Sequence, residues 1–263
     1  MRKHKTSSKI NPKTQTKTKF ELKSHELSIS NILALSLRLL GDNYKLLLAI
    51  FLIIYLPLDI IPLFFPQLDS FQAYKTAQIN SSSVNYGYTA YGIIKGLLGM
   101  LATIAVIYAA NSILAHKKIT LKQSFLAAKE RWLDLLLTSL LSAVILLGLT
   151  LLLIVPGVIY YIYYLFFSVV VVLKDLKYKQ ALDYSKSLVR GRWWKVFGFF
   201  LILFALSFVI GISISTLVSF TKYSTVLGVA GNLILDFYAL FAVICVTVYF
   251  VNLDSLPRRK SES

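Results

Sequence analysis

One stretch decides the fold: Leu133–Leu173, LDLLLTSLLSAVILLGLTLLLIVPGVIYYIYYLFFSVVVVL. It is about twice the roughly 20 apolar residues that a helix needs to cross a bilayer. Near its middle stands Pro156-Gly157, a pair that breaks a helix and turns the chain. The stretch therefore reads as two spans, Leu133–Val155 and Val158–Leu173, folded back on each other as a tight hairpin.

Four more apolar runs flank it: Tyr44–Phe65, Gly92–Ala115, Val196–Leu217 and Val226–Val251. The prediction is an all-α, polytopic integral membrane protein with six transmembrane helices. Composition agrees. Of 263 residues, 57% are hydrophobic and 15% charged, against about 25% charged in soluble domains, and the mean hydropathy is +0.68. A soluble domain, a disordered chain and a fibrous repeat are excluded.

The net charge is +16. In a soluble protein that would suggest nucleic acid, but here the basic residues flank membrane spans, so no nucleic-acid partner is expected. The N-terminal segment through Lys45, His116–Arg131, Lys174–Lys195 and Arg258-Arg259-Lys260 hold 25 of the 28 Lys and Arg. Lys75, Lys95 and Lys222 hold the rest. The positive-inside rule places both termini in the cytoplasm, which an even number of spans satisfies. The expected location is the cell membrane, most naturally bacterial, with a basic face meeting anionic lipid. Residues 1–27 read as a disordered basic cytoplasmic tail, 28–254 as the membrane domain and 255–263 as a short basic tail. The segment Pro66–Tyr91 reads as a polar outer loop. It holds the sequon Asn80-Ser81-Ser82, which matters only in a eukaryotic secretory pathway.

Three segments share a register. Ser36 precedes Asn43-Tyr44, Ser124 precedes Arg131-Trp132, and Ser185 precedes Arg192-Trp193. The serine-to-aromatic spacing is eight in all three, and a long apolar run begins at the aromatic. Each segment has helical periodicity. Tyr178, Ala181, Leu182, Ser185, Leu188 and Val189 make one face, with Lys179, Asp183, Lys186 and Arg190 opposite. The prediction is three amphipathic interfacial helices, each with an aromatic anchor and a two-helix hairpin: a threefold internal repeat.

Two parts of the third unit carry a family resemblance. Leu152-Leu153-Ile154-Val155-Pro156-Gly157-Val158-Ile159 is one. Gln180-Ala181-Leu182-Asp183-Tyr184-Ser185-Lys186-Ser187-Leu188-Val189-Arg190-Gly191-Arg192-Trp193-Trp194 is the other. The chain resembles the membrane domain found ahead of some bacterial glycerophosphodiester phosphodiesterases, and related uncharacterised multi-span families. The resemblance implies the membrane portion without the soluble hydrolase domain, and it transfers no functional residue.

Chemistry-bearing residues are few. Asp236, with Asn232 one turn earlier, is an intramembrane polar pair; it reads as a proton or cation site, or as a carboxyl bonded to Asn232 or to serines of the fifth span. Asp59 and Lys95 lie at similar depth in the outer parts of the first two spans, as an ion pair or as a solvated acid and a snorkelling lysine. Lys186, Arg190, Arg192 and Lys195 suit phospholipid headgroups. Gly92, Gly96, Gly99, Thr103, Val106 and Ala110 form a small-residue face for close helix approach. Cys245 is the single cysteine, the three histidines are at no metal spacing, and no catalytic motif is visible, so no cofactor is expected. The leading expectation is a non-enzymatic scaffold or accessory protein contacting anionic lipid or a protein partner. The runner-up is a small-solute transporter or channel using Asp236.

Overall fold

The structure is a computed structural model and describes residues 26–65, 68, 86–220 and 224–256. The basic tail up to residue 25, most of the polar loop with Lys75 and Asn80, Lys222, and Arg258-Arg259-Lys260 lie outside the described residues. Among the described residues the chain is helical with no strand. The helices are α1 (Ile29–Asp42), α2 (Tyr44–Phe64), α3 (Tyr86–Leu114), α4 (Leu121–Leu152), α5 (Ile154–Tyr163), α6 (Phe167–Lys174), α7 (Tyr178–Val189), α8 (Trp193–Ser219) and α9 (Ser224–Ser255). Among the described residues, six helical segments are long and apolar enough to cross a membrane, with α5 and α6 together forming the fourth. The protein is an all-α multi-pass membrane protein.

Three local predictions are corrected. The second amphipathic helix is not separate: Leu121–Trp132 are the first turns of α4, started by a capping box of Thr120 and Gln123. The hairpin turns at Leu153, which is extended (φ −159°, ψ 137°), and not at Pro156-Gly157. Pro156 stands at the third position of α5, where its missing N–H costs no helical bond. Gly157 serves the close approach of the two arms, since a Cβ there would lie 2.3 Å from Thr150 Oγ1 and 3.2 Å from its Cα. The glycine face of α3 is only partly a contact face. A Cβ on Gly99 would meet Tyr55, but Cβ atoms on Gly92 and Gly96 would meet nothing within 4 Å among the described residues.

The fourth span breaks at Tyr164–Phe166. Ser185 of α7 inserts there, accepting a hydrogen bond from Phe166 N–H (3.1 Å) and donating one to the Tyr163 carbonyl (2.7 Å). A side chain entering the backbone ladder is a recognised cause of a kink.

The repeat governs packing. Ser36, Ser124 and Ser185, the three residues on which the segments align, are all fully buried. Each lets its helix close on a span of the preceding unit. The third unit's α7 sits on α5 and α6, and the Trp193 indole donates to the Ile159 carbonyl (3.3 Å). The second unit's α4 start sits on α3, with Trp132 donating to the Leu97 carbonyl (3.0 Å). The first unit's α1 sits on α9, where Ser36 lies beside the Cys245 thiol and Leu27 N–H donates to Asn252 Oδ1 (3.0 Å). The docking is cyclic, one to three, two to one, three to two. It puts the second, fourth and sixth spans inside. In the most apolar 18 residues of each, 39, 39 and 44% are buried, against 33, 17 and 11% in the first, third and fifth. The tight core (Ala105, Ile107, Ala109, Phe166, Val170, Ile244, Val248) lies on the half of the spans that carries the short helices.

Candidate functional site: a buried lysine between two aspartates

Asp59, Lys95 and Asp236 meet on the other half of the bundle. Lys95 stands about two turns beyond Ala102, where the tight core of α3 begins. Its Nζ donates to Asp59 Oδ1 at 2.6 Å and lies 2.6 Å from Asp236 Oδ2. One ammonium thus ties α2, α3 and α9 together. The two contacted oxygens are at most twice that distance apart, 5.2 Å. The Asp59 side chain is fully buried, while Lys95 and Asp236 keep 21% and 19% exposure. Asp59 Oδ2 is buried and accepts no hydrogen bond among the described residues. With every group ionised the cluster carries one excess negative charge.

The sequence builds this place locally. Pro62 has no N–H, so the Leu58 carbonyl loses its helical donor. The Tyr91 hydroxyl of α3 replaces it at 2.6 Å. Asp59 lies between this prolyl site and Pro57, which positions its carboxyl against α3. Tyr55, one turn earlier, fills the space left by Gly99.

Asn232 makes no hydrogen bond to Asp236 among the described residues, and Ser213 and Ser219 of α8 donate to carbonyls of their own helix, those of Val209 and Thr216. The partner of Asp236 is Lys95, a pairing that helical periodicity within one span cannot reveal. The four candidate headgroup contacts are scattered. Arg192 is 7% exposed, with its Nε 3.4 Å from Glu26 Oε2. Lys195 Nζ lies 3.3 Å from the same oxygen. Lys186 lies over the Tyr160 ring, 4.6 Å from its centroid, and donates to the Tyr160 hydroxyl. Arg190 alone of the four is exposed with no carboxylate within 4 Å among the described residues.

Further ion pairs lie on the face of the short helices: Arg131–Asp175 (2.6 Å), Lys174–Asp254 (2.5 Å) and Lys177–Asp134 (3.0 Å). Tyr184 also bonds Asp254. Two pairs, Arg131–Asp175 and Arg192–Glu26, share one register relative to the repeat. Glu26 and Asp175 each stand ten residues before the aligned serine, and Arg131 and Arg192 each stand seven after it.

Residues 72–253 match the family described as Domain of unknown function (DUF7847). That is 182 of the 263 residues. The chain belongs to this family. No curated protein and no solved structure matches it. The DUF7847 match takes in Lys95, Asp236, Arg131 and Arg192, while Asp59 and Glu26 precede it.

Proposed function

We propose that this protein is a non-enzymatic scaffold or accessory protein of the cell membrane, with both termini cytoplasmic and the short-helix face turned to anionic lipid or to a protein partner. One observation carries the reading. On that face most carboxylates are already used inside the fold, while Lys117, Lys118, Lys122, Lys129, Lys179 and Arg190 have no carboxylate within 4 Å among the described residues. Cations so placed gain about 1 kcal/mol each near an anionic leaflet. No three His, Cys, Asp or Glu residues gather as a metal site among the described residues. The resemblance to the membrane portion of phosphodiesterase-linked proteins belongs to the same proposal.

The test is thermal unfolding of the full chain in nanodiscs. Phosphatidylglycerol should raise the midpoint over phosphatidylcholine at low salt, and high salt should remove most of the difference. Equal midpoints in both lipids would overturn the reading. For orientation, reporter fusions at Ser83 and Gln123 should report opposite compartments.

A second reading rests on the Asp59–Lys95–Asp236 cluster. Its charge count balances only with one more proton or monovalent cation, which suits a proton- or cation-coupled transporter. Proteoliposomes with a trapped pH dye should then show proton flux under an imposed potential. Asp236→Asn should abolish that flux without lowering protein abundance. No flux in the wild type would sink this reading and leave the scaffold reading in place.

A further inference from the structure

The cyclic repeat predicts three equivalent latches, and the structure contains two. Arg131 of the second unit meets Asp175, ten residues before the serine of the third. Arg192 of the third unit meets Glu26, ten before the serine of the first. At the remaining junction both positions differ together: Asn43 replaces the arginine and Leu114 replaces the acid. Asn43 is turned back onto the Leu39 carbonyl of its own helix (3.1 Å).

At that junction a cavity of about 600 Å³ opens between α1, the start of α2, the end of α3 and the turn into α4, lined by both Asn43 and Leu114. One part of its wall is apolar (Leu35, Leu46, Ile113), and the rest carries cations. Arg38 faces one carboxylate, Asp42, at 3.6 Å, with both side chains about half exposed. Lys117 and Lys118 have none within 4 Å among the described residues. An apolar wall beside an unneutralised cationic rim matches an amphiphile with a negative head. The N-terminal tail of the chain is not complementary, because residues 1–25 hold eight Lys and Arg against one acid, Glu21.

We infer that the vacant third latch is a binding site for an anionic phospholipid, its phosphate held by Lys117 and Lys118 and an acyl segment lying against Leu35, Leu46 and Ile113. The inference rests on the proposal that this face meets anionic lipid, and gives that contact a specific place.

The experiment is native mass spectrometry of the full chain released from nanodiscs, scoring retained phosphatidylglycerol against phosphatidylcholine. Wild type should retain phosphatidylglycerol preferentially. Lys117→Ala with Lys118→Ala should weaken retention by about fivefold per lysine, about 25-fold together. The comparison pair Lys122→Ala with Lys129→Ala removes the same charge from exposed sites on the same face, away from the cavity, and should weaken retention several-fold less than the Lys117 and Lys118 pair. Asn43→Arg with Leu114→Asp installs the third latch and should lower retention while keeping or raising the unfolding temperature. Equal losses from the two lysine pairs would overturn the site while leaving the anionic face intact. No preference between lipids in wild type would overturn both. Displacement of the lipid by millimolar inorganic phosphate or glycerol phosphate would show that the site takes the phosphate alone, and would overturn the phospholipid assignment.

Discussion

At the scale of single residues, the Asp59–Lys95–Asp236 cluster is asymmetric, and the asymmetry predicts an order. Lys95→Met strands two carboxylates in a shared buried place and should cost about 3–5 kcal/mol. Asp236→Asn leaves the Lys95–Asp59 pair intact and should cost only about 1 kcal/mol. Asp59→Asn, which removes the fully buried partner, should fall between them. Thermal unfolding in detergent should return that order. Exchanging the charges, Asp59→Lys with Lys95→Asp, keeps one cation and two anions in the cluster. The double exchange should therefore be more stable than either single reversal; equal damage would mean that pairing does not set the geometry. Asp59 and Lys95 were readable as partners because both are ionisable residues in the outer parts of consecutive spans. Asp236 comes from a span some 140 residues further on, and a sequence does not print which faces of distant helices meet.

At the scale of elements, the serine register was legible and its purpose was not. Periodicity marks Ser185 as belonging to the apolar face of α7, but only packing shows why a small hydroxyl is needed there. Ser36 and Ser124 donate to the carbonyls of Ile32 and Thr120, four residues back in or at the start of their own helices. Ser185 bonds another helix and accepts from Phe166 N–H. Ser36→Ala and Ser124→Ala should each shift stability by less than about 0.5 kcal/mol. Ser185→Ala leaves a buried donor unsatisfied and should cost about 1–3 kcal/mol. Replacing any of the three by leucine overpacks a fully buried site and should cost about 1–3 kcal/mol. Urea or thermal unfolding of the six variants separates the two effects. The same limit explains the misplaced hairpin turn. Pro and Gly mark a region where the chain changes direction, but proline is also at home in a helix's first turn and glycine also serves close approach, as Thr150 shows at Gly157.

For the whole molecule, the question is what closes the ring of three units. The first and third units join through α1 on α9, and through Glu26, which lies under Arg192 and Lys195 at the start of α8. The second and third join through α7 on α5 and α6, and through Arg131, which bonds Asp175. These latches occupy equivalent places but differ in burial. Asp175 is 70% exposed, so its pair with Arg131 sits in a wet, screened setting. Glu26 is 11% exposed, and its Oε1 is buried with no hydrogen bond among the described residues. Arg131→Ala should therefore cost about 1 kcal/mol or less. Arg192→Ala leaves a buried carboxylate with only the exposed Lys195, and should cost about 3 kcal/mol. The loss should also be spatially specific, because the closing seam is α1 against α9. Hydrogen exchange should rise first at Leu27–Ile32 and around Asn252 in Arg192→Ala, while α3 and α4 stay protected. Uniform exchange throughout the bundle would show that the ring has no distinct closing seam and that the third unit is held by its spans alone.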